Sequence, residues 1–375
     1  MSSKSPLVLV TGGTGFLALW VITLLLRQNY RVRTTVRDLS RTAHIHSCLA
    51  EAGLSDEQIS SLEITRADLL TNENWPAAVA DATYIQHIAS PFPAHFPKDL
   101  DAELIRPARE GTLRVLRAAR DSGTVKRVVL TSSSAAVAYG HGDKYVGAGG
   151  EERGFTEADW TDLDSGHVMP YQRSKTLAER AAWEFMETAS GNKDADTDAD
   201  ADGQGEALSF DLVAINPVTI FGPALGKEDG TSLRTLVELL QGNAPGIPKL
   251  HWPIVDVRDC ARMHLLAMTT PASGGNRFLC VGEGSLWTED IAKILKRRLG
   301  ERARKVPTIV LPNFTIRVVA LVWPVVRLVL PELGHEKRMS NVKAREVLKW
   351  EWEYSSEEAV VAGAESLFKF GVVQV

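Results

Sequence analysis

The chain has 375 residues, 44% hydrophobic and 24% charged, the make-up of a soluble globular protein with room for one large α/β core and a smaller lobe. Its formal net charge of -5 excludes a general nucleic-acid binder, which needs a basic surface. Three scattered cysteines, Cys48, Cys260 and Cys280, exclude a disulfide framework and point to packed thiols in a reducing, cytoplasmic compartment.

In chain order, the first apolar run, 7–10, ends at a glycine loop and is too short for a secretory signal. Strands are expected at 7–10, 31–36, 62–67, 82–88, 127–131 and 210–215, with helices near 16–28, 42–59, 100–122 and 171–187 between them. This alternation predicts an α/β fold, a doubly wound parallel sheet of the Rossmann type, with a dinucleotide-binding domain over 1–217. All strand carboxyl ends then share one edge, where ligands bind in such sheets.

The stretch 191–207 interrupts the pattern. Residues 193–206 hold five Asp, one Glu and one Lys, so they carry the whole net charge of -5. Asp198, Asp200, Asp202 and Gly203 mimic the start of a calcium loop, but Ser209 stands where the bidentate Glu belongs. We expect a solvated acidic insert without calcium, and no metal site elsewhere.

Beyond 217 the alternation loosens. Strands at 254–257 and 277–281 predict that 251–282 returns to the sheet. Helices near 287–299, 313–330, 340–349 and 356–369 predict that 218–375 is mostly a substrate-binding lobe. The apolar run 318–326 lies between Arg317 and Arg327 and contains Pro324. A membrane span needs roughly 20 apolar residues, so this run reads as a buried or cleft-lining helix, with contact at a membrane interface as the minor alternative.

The first chemical signal is the loop Thr11-Gly12-Gly13-Thr14-Gly15-Phe16-Leu17, between strand 7–10 and an apolar helix. Gly12 permits the tight turn and Gly15 lets the backbone approach a pyrophosphate, while the helix start supplies amide donors and positive dipole. The second strand ends in Arg37, with Asp38 next and Arg41 nearby. An arginine there pairs with a 2′-phosphate and stacks on adenine, which predicts NADP(H). Asp38 is the counter-signal, since an acid one residue later can reach a ribose. Asp68, at the end of the third strand, can accept from the adenine amino group or simply cap a helix.

The second signal is Tyr171 and Lys175. Their spacing of four puts phenol and ammonium on one helical face. Strand 127–131 runs into Ser132, Ser133 and Ser134 upstream. Hydride transfer to a carbonyl makes an alkoxide, which needs a proton donor and a hydrogen-bond donor. A phenol titrates near 10, and an adjacent ammonium pulls it toward neutrality.

These motifs resemble the extended short-chain dehydrogenase/reductase family, within it the dihydroflavonol reductase-like branch that includes fungal and bacterial aldehyde and ketone reductases. Further matches are His87-Ile88-Ala89-Ser90-Pro91, Asn216-Pro217, Phe221-Gly222-Pro223 and Val255-Asp256-Val257-Arg258-Asp259. The resemblance implies Ser133 as the carbonyl-polarising serine, with Ser132 its rival. It implies Arg37 at the 2′-phosphate, Ala89 and Ser90 beside the cofactor ribose, Lys175 on the nicotinamide ribose, and Pro217 with Val218 beside the nicotinamide amide. His87 reads as structural, and Asp256, Arg258 and Asp259 as an ion-pair and capping network. Ala138 stands where plant flavonoid reductases carry a hydrogen-bonding Asn, which argues against a flavonoid. The expected activity is NADPH-dependent reduction of an apolar ketone or aldehyde. Competing readings are an NAD-dependent sugar-nucleotide epimerase or dehydratase and a non-catalytic NADP(H) sensor. Oligomeric state has no signature in the sequence.

Overall fold

A computed structural model describes residues 5–90, 99–141, 154–166, 168–189, 208–227, 230–322 and 324–374. The acidic insert 191–207 lies outside them, so its expected conformation is not addressed. Seven parallel strands form the main sheet in the order β3-β2-β1-β4-β5-β6-β9. They are β1 (Leu7–Val10), β2 (Arg31–Val36), β3 (Glu63–Arg66), β4 (Tyr84–His87), β5 (Arg127–Thr131), β6 (Asp211–Pro217) and β9 (Arg277–Cys280). A small second sheet has the order β10-β8-β7, from β7 (Thr219–Phe221), β8 (His251–Asp256) and β10 (Ser285–Trp287). Of the two strands expected in 251–282, β9 therefore joins the main sheet at its edge, whereas β8 pairs only with β7 and β10.

Side chains of the central strands divide between two cores with the two-residue period of a pleated strand. Val8, Val10, Val129 and Val213 face one core, Leu9, Val128, Leu130 and Leu212 the other. The first core is closed by α1 (Phe16–Arg27), α2 (Thr42–Glu51), α3 (Asp56–Ser60) and the later α8 (Val257–Thr269), with α1 packed on α8. The second is closed by α4 (Trp75–Val79), α5 (Arg106–Ser122) and α6 (Pro170–Ala189). Both sheet faces are covered, and β1 is accordingly buried at every residue. Of the remaining helices, α7 (Arg234–Gln241), α9 (Thr288–Leu299) and α12 (Ser356–Lys369) share a separate core with Phe221 and Ile254, α10 (Asn313–Val322) sits on a small core with Leu250 and Leu333, and α11 (Val342–Leu348) packs on the first core through Ala344 and Leu348.

Three departures from expectation have local causes. The helix expected over 42–59 is two, because Gly53 takes φ +81° and Ser55 opens α3 with a reciprocal capping box on Gln58. Strand β8 ends at Asp256, whose carboxylate accepts from the Arg258 amide at 2.8 Å and starts α8, a helix the sequence reading lacked. The stretch 313–330 is α10 followed by a 3-10 segment from Pro324. It is not simply buried: Ile316 and Ala320 face inward, while Phe314, Val318, Leu321 and Val322 face outward. Among the described residues, no helix is long and apolar enough to cross a membrane.

Candidate active site

The strand order reverses between β1 and β4, and the crevice at their carboxyl ends is where such a sheet binds a dinucleotide. The glycine loop sits at that point. Gly12 has φ +74°, and a Cβ on it would lie 2.9 Å from the Cβ of Ala89, at the end of β4. A Cβ on Gly13 would come within 2.3 Å of Thr34 Oγ1. Only glycine fits at both. The Gly12 amide donates to Thr35 Oγ1 at 3.0 Å and the Gly13 amide to the Thr35 carbonyl at 2.9 Å, so β2 holds the turn open. Helix α1 then begins at the exposed Gly15 with no side-chain cap and no acid in its first turn. Thr14 and Phe16 are half-buried and Leu17 is buried. An uncapped, unopposed helix start suits a phosphate.

Thr11 is fully buried, and its side chain is taken up by the neighbouring strand. Its hydroxyl accepts from the Ile88 and Ala89 amides, both at 3.0 Å, and lies 2.9 Å from His87 Nδ1. With two amides already donating to it, the hydroxyl donates to Nδ1, which fixes the ring proton on Nε2. Burial, aided by the Lys175 charge, lowers His87 to about 3, so the ring stays neutral. Thr11 and His87 thus lock the ends of β1 and β4 together.

At the end of β2, Arg37 is exposed. Asp38 is engaged by its own turn: Oδ1 accepts from the Ser40 amide at 2.9 Å and Oδ2 from the Ser40 hydroxyl at 2.6 Å. These bonds, with Arg66 and Arg41 nearby, hold its carboxyl below the usual range. Arg41 closes the 3-10 turn Leu39–Arg41 that Asp38 caps. Asp68 Oδ1 accepts from the Leu70 amide at 3.0 Å within a turn; the next helix, α4, opens at Trp75 with Asn74 as its N-cap, so Asp68 caps no helix.

The structure brings Tyr171, Lys175 and Ser133 together. Tyr171 and Lys175 lie on the first turns of α6, against the end of β5. Tyr171 is 38% exposed, while its hydroxyl end reaches inward to the Ser133 side chain. Burial of that end pushes the phenol above its ordinary value, and the Ser133 contact draws it only part of the way back. The Lys175 ammonium, expected to pull the phenol down, does not offset this rise. That ammonium, buried, lies 3.5 Å from the Thr131 carbonyl oxygen, and burial lowers it to about 8 against the opposing charge of Glu179.

Ser132 and Ser133 part company here. Ser133 Oγ accepts from the Ala135 amide at 3.1 Å and faces Tyr171. Ser132 turns away and donates to Glu179 Oε2 at 2.5 Å in a buried contact. Glu179, one turn beyond Lys175, also accepts from Asn216 Nδ2 (2.7 Å) and Trp183 Nε1 (3.3 Å), and pairs with Arg277 Nε at 2.6 Å. Asn216 holds the Ser133 carbonyl as well, at 3.2 Å. The sequence reading missed Glu179 and Arg277; the one available signal was the four-residue spacing of Glu179 from Lys175 on the same helix face. Ser90, Thr112, Thr131, Ser132, Lys175 and Glu179 supply the polar lining of a cavity of about 10 Å³, with Ala89 among its apolar walls. That is about the room one water needs.

Pro217 ends β6, opposite Cys280 in register, and the Val218 amide donates to the Cys280 carbonyl at 3.3 Å. Ala138 is fully buried and offers no polar group. Asp256 and Arg258 form a bidentate pair at 2.8 Å, and Asp259 accepts from the Glu353 and Tyr354 amides.

Residues 8–282 match the model of the NAD dependent epimerase/dehydratase family. The chain belongs to this family, the extended short-chain dehydrogenases/reductases. It is 33% identical over 295 residues to a cinnamoyl-CoA reductase of Medicago truncatula, covering 79% of this chain and 81% of that one. It is 30% identical over 285 residues to a dihydroflavonol 4-reductase of Zea mays, covering 74% and 71%. The yeast methylglyoxal/isovaleraldehyde reductase Gre2, solved in complex with NADPH, superposes with a TM-score of 0.75 at 25% identity, covering 98% and 99% of the two chains. This extended short-chain dehydrogenase/reductase is therefore an oxidoreductase on a Rossmann-type sheet.

Proposed function

We propose that this protein is an NADPH-dependent reductase of an apolar ketone or aldehyde. The observation that carries the reading is the Tyr171 hydroxyl end set against the Ser133 side chain, one helical turn from the buried Lys175 and at the same sheet edge as the glycine loop. NADPH, when bound, supplies the hydride. Gly12, Gly13, Thr14, Gly15 and the start of α1 at Phe16 and Leu17 hold its pyrophosphate, with Thr11 bracing the turn from beneath. Arg37 and Arg41 take the 2′-phosphate side, Asp68 the adenine, and Ala89 and Ser90 the ribose. Pro217 and Val218 flank the nicotinamide amide, and Lys175 holds the nicotinamide ribose hydroxyls.

Ser133 and Tyr171 then converge on the substrate carbonyl oxygen. Both donate hydrogen bonds, and the Tyr171 proton passes to that oxygen as it gains negative charge. A phenol held above its ordinary value is protonated at neutral pH, the state a reductase needs at the start of a turnover. Ser132 is committed to Glu179 and takes no part in this step.

The test is NADPH oxidation against a panel of aldehydes, ketones and β-keto esters, with stoichiometric consumption by at least one expected. NAD co-purifying at one per chain, with no carbonyl in the panel consuming NADPH, would overturn the reading in favour of an epimerase.

Two further outcomes follow from the cofactor end. Arg37→Asp should weaken NADPH binding by about 100-fold, roughly the loss of one charge-assisted contact plus repulsion, while NADH binding changes little. Equal weakening of both, by fluorescence titration, would make Arg37 a residue of the fold only. Second, Lys175 is charged below about 8 and neutral above it. NADPH affinity should therefore fall as pH rises through that region; a flat profile up to pH about 10 would separate Lys175 from the ribose.

A further inference from the structure

Helix α10 has two apolar faces, and among the described residues only one is packed. Ile316 and Ala320 turn inward, with Ile316 packed in a small core with Leu250 and Leu333. Phe314, Val318, Leu321 and Val322 are 69%, 59%, 74% and 76% exposed. At about 100° per residue these positions form a single stripe, opposite the buried pair. Ile309, just upstream, is 64% exposed. Single exposed apolar residues are ordinary, but a contiguous stripe on the solvent face of a surface helix marks a contact surface.

The charge around the stripe says what kind. Residues 303–331 contain Arg304, Lys305, Arg317 and Arg327 and not one Asp or Glu, in a chain whose net charge is -5, while Arg302 just before them pairs with Glu365. Arg317 is exposed beside the stripe. Arg327 Nε donates to the Ala320 carbonyl at 2.9 Å, which fixes a second cation at the carboxyl end of the helix. Arg304 and Lys305 are exposed on the approach to Ile309. A second copy of this chain docking through the same face would set these cations against themselves. An anionic lipid surface meets both features, since it attracts the cations and receives apolar side chains without a matching shape. Ten residues are too few to span a bilayer, so the helix would lie in the plane of the interface.

We propose that α10 docks this protein reversibly on anionic phospholipid surfaces, with Phe314, Val318, Leu321 and Val322 inserted and Arg317 and Arg327 on the headgroups. The inference does not depend on the reductase reading. The full-length protein is co-sedimented with phosphatidylcholine vesicles with and without phosphatidylglycerol. Binding is expected only with the anionic lipid, declining as salt is raised. Phe314→Glu with Leu321→Glu should lower that binding by about tenfold or more, and Arg317→Glu by less. Unchanged thermal unfolding shows that the variants are folded. Absence of binding by the wild type, or equal binding by the folded double variant, overturns the proposal. So does a concentration-dependent dimer that the double substitution dissolves. A raised KM in the double variant, without any vesicle binding by the wild type, would instead place the stripe at the substrate entrance.

Discussion

Tyr171→Phe should abolish nearly all turnover, by about 10² to 10⁴-fold, and leave NADPH affinity within a few-fold. The substitution removes one oxygen and keeps the ring. Ser133 keeps its bond from the Ala135 amide, so one donor to the carbonyl survives. Lys175 keeps its place against the Thr131 carbonyl and Glu179, so the ribose contact survives too. What is lost is the proton itself. Single-turnover kinetics with saturating cofactor should show the loss in the chemical step, with binding amplitude unchanged. If the purified variant kept most of its turnover, Tyr171 would leave the mechanism, and the hydroxyl of Ser133 would be the remaining donor to examine.

The parts of this site that could be read in sequence are those set by local backbone demands. Gly12 and Gly13 are forced by a positive φ and by the approach of Ala89 and Thr34, and a strand before with a helix after them is a local pattern. Tyr171 and Lys175 share a face by helix geometry alone. The choice between Ser132 and Ser133 was not local: it turns on Glu179 taking the first and Tyr171 facing the second. Helix α8 was missed for a related reason. Val255-Asp256-Val257 alternates like a strand, and only the Asp256 side chain bonding to the Arg258 amide turns the chain into a helix there. The stretch 313–330 misled in the other direction, because an apolar run reads as buried and composition does not say which face is covered.

The second large effect concerns the pair behind the catalytic helix. Glu179 is fully buried and Arg277 nearly so, and they meet at 2.6 Å across 98 residues of chain. Arg277→Ala leaves a carboxylate in the core with only neutral donors, Ser132, Asn216 and Trp183. Breaking one side of a buried pair costs about 3–5 kcal/mol, so the denaturation midpoint should fall steeply at an unchanged m-value. The guanidinium also holds the Glu157 and Asp159 carbonyls at 2.9 Å each and stacks 3.7 Å from the Trp160 ring centroid, so the same change loosens the segment before α6. A stability loss alone would make the pair a strut. Glu179→Gln separates the roles, because Glu179 opposes the burial that lowers Lys175. Without that negative charge the ammonium titrates below about 8, and the alkaline limb of NADPH binding should move to lower pH in the folded variant. A limb left in place, with stability reduced, would confine Glu179 to holding β5, β6 and β9 against α6; a shifted limb makes it the residue that keeps Lys175 charged at working pH.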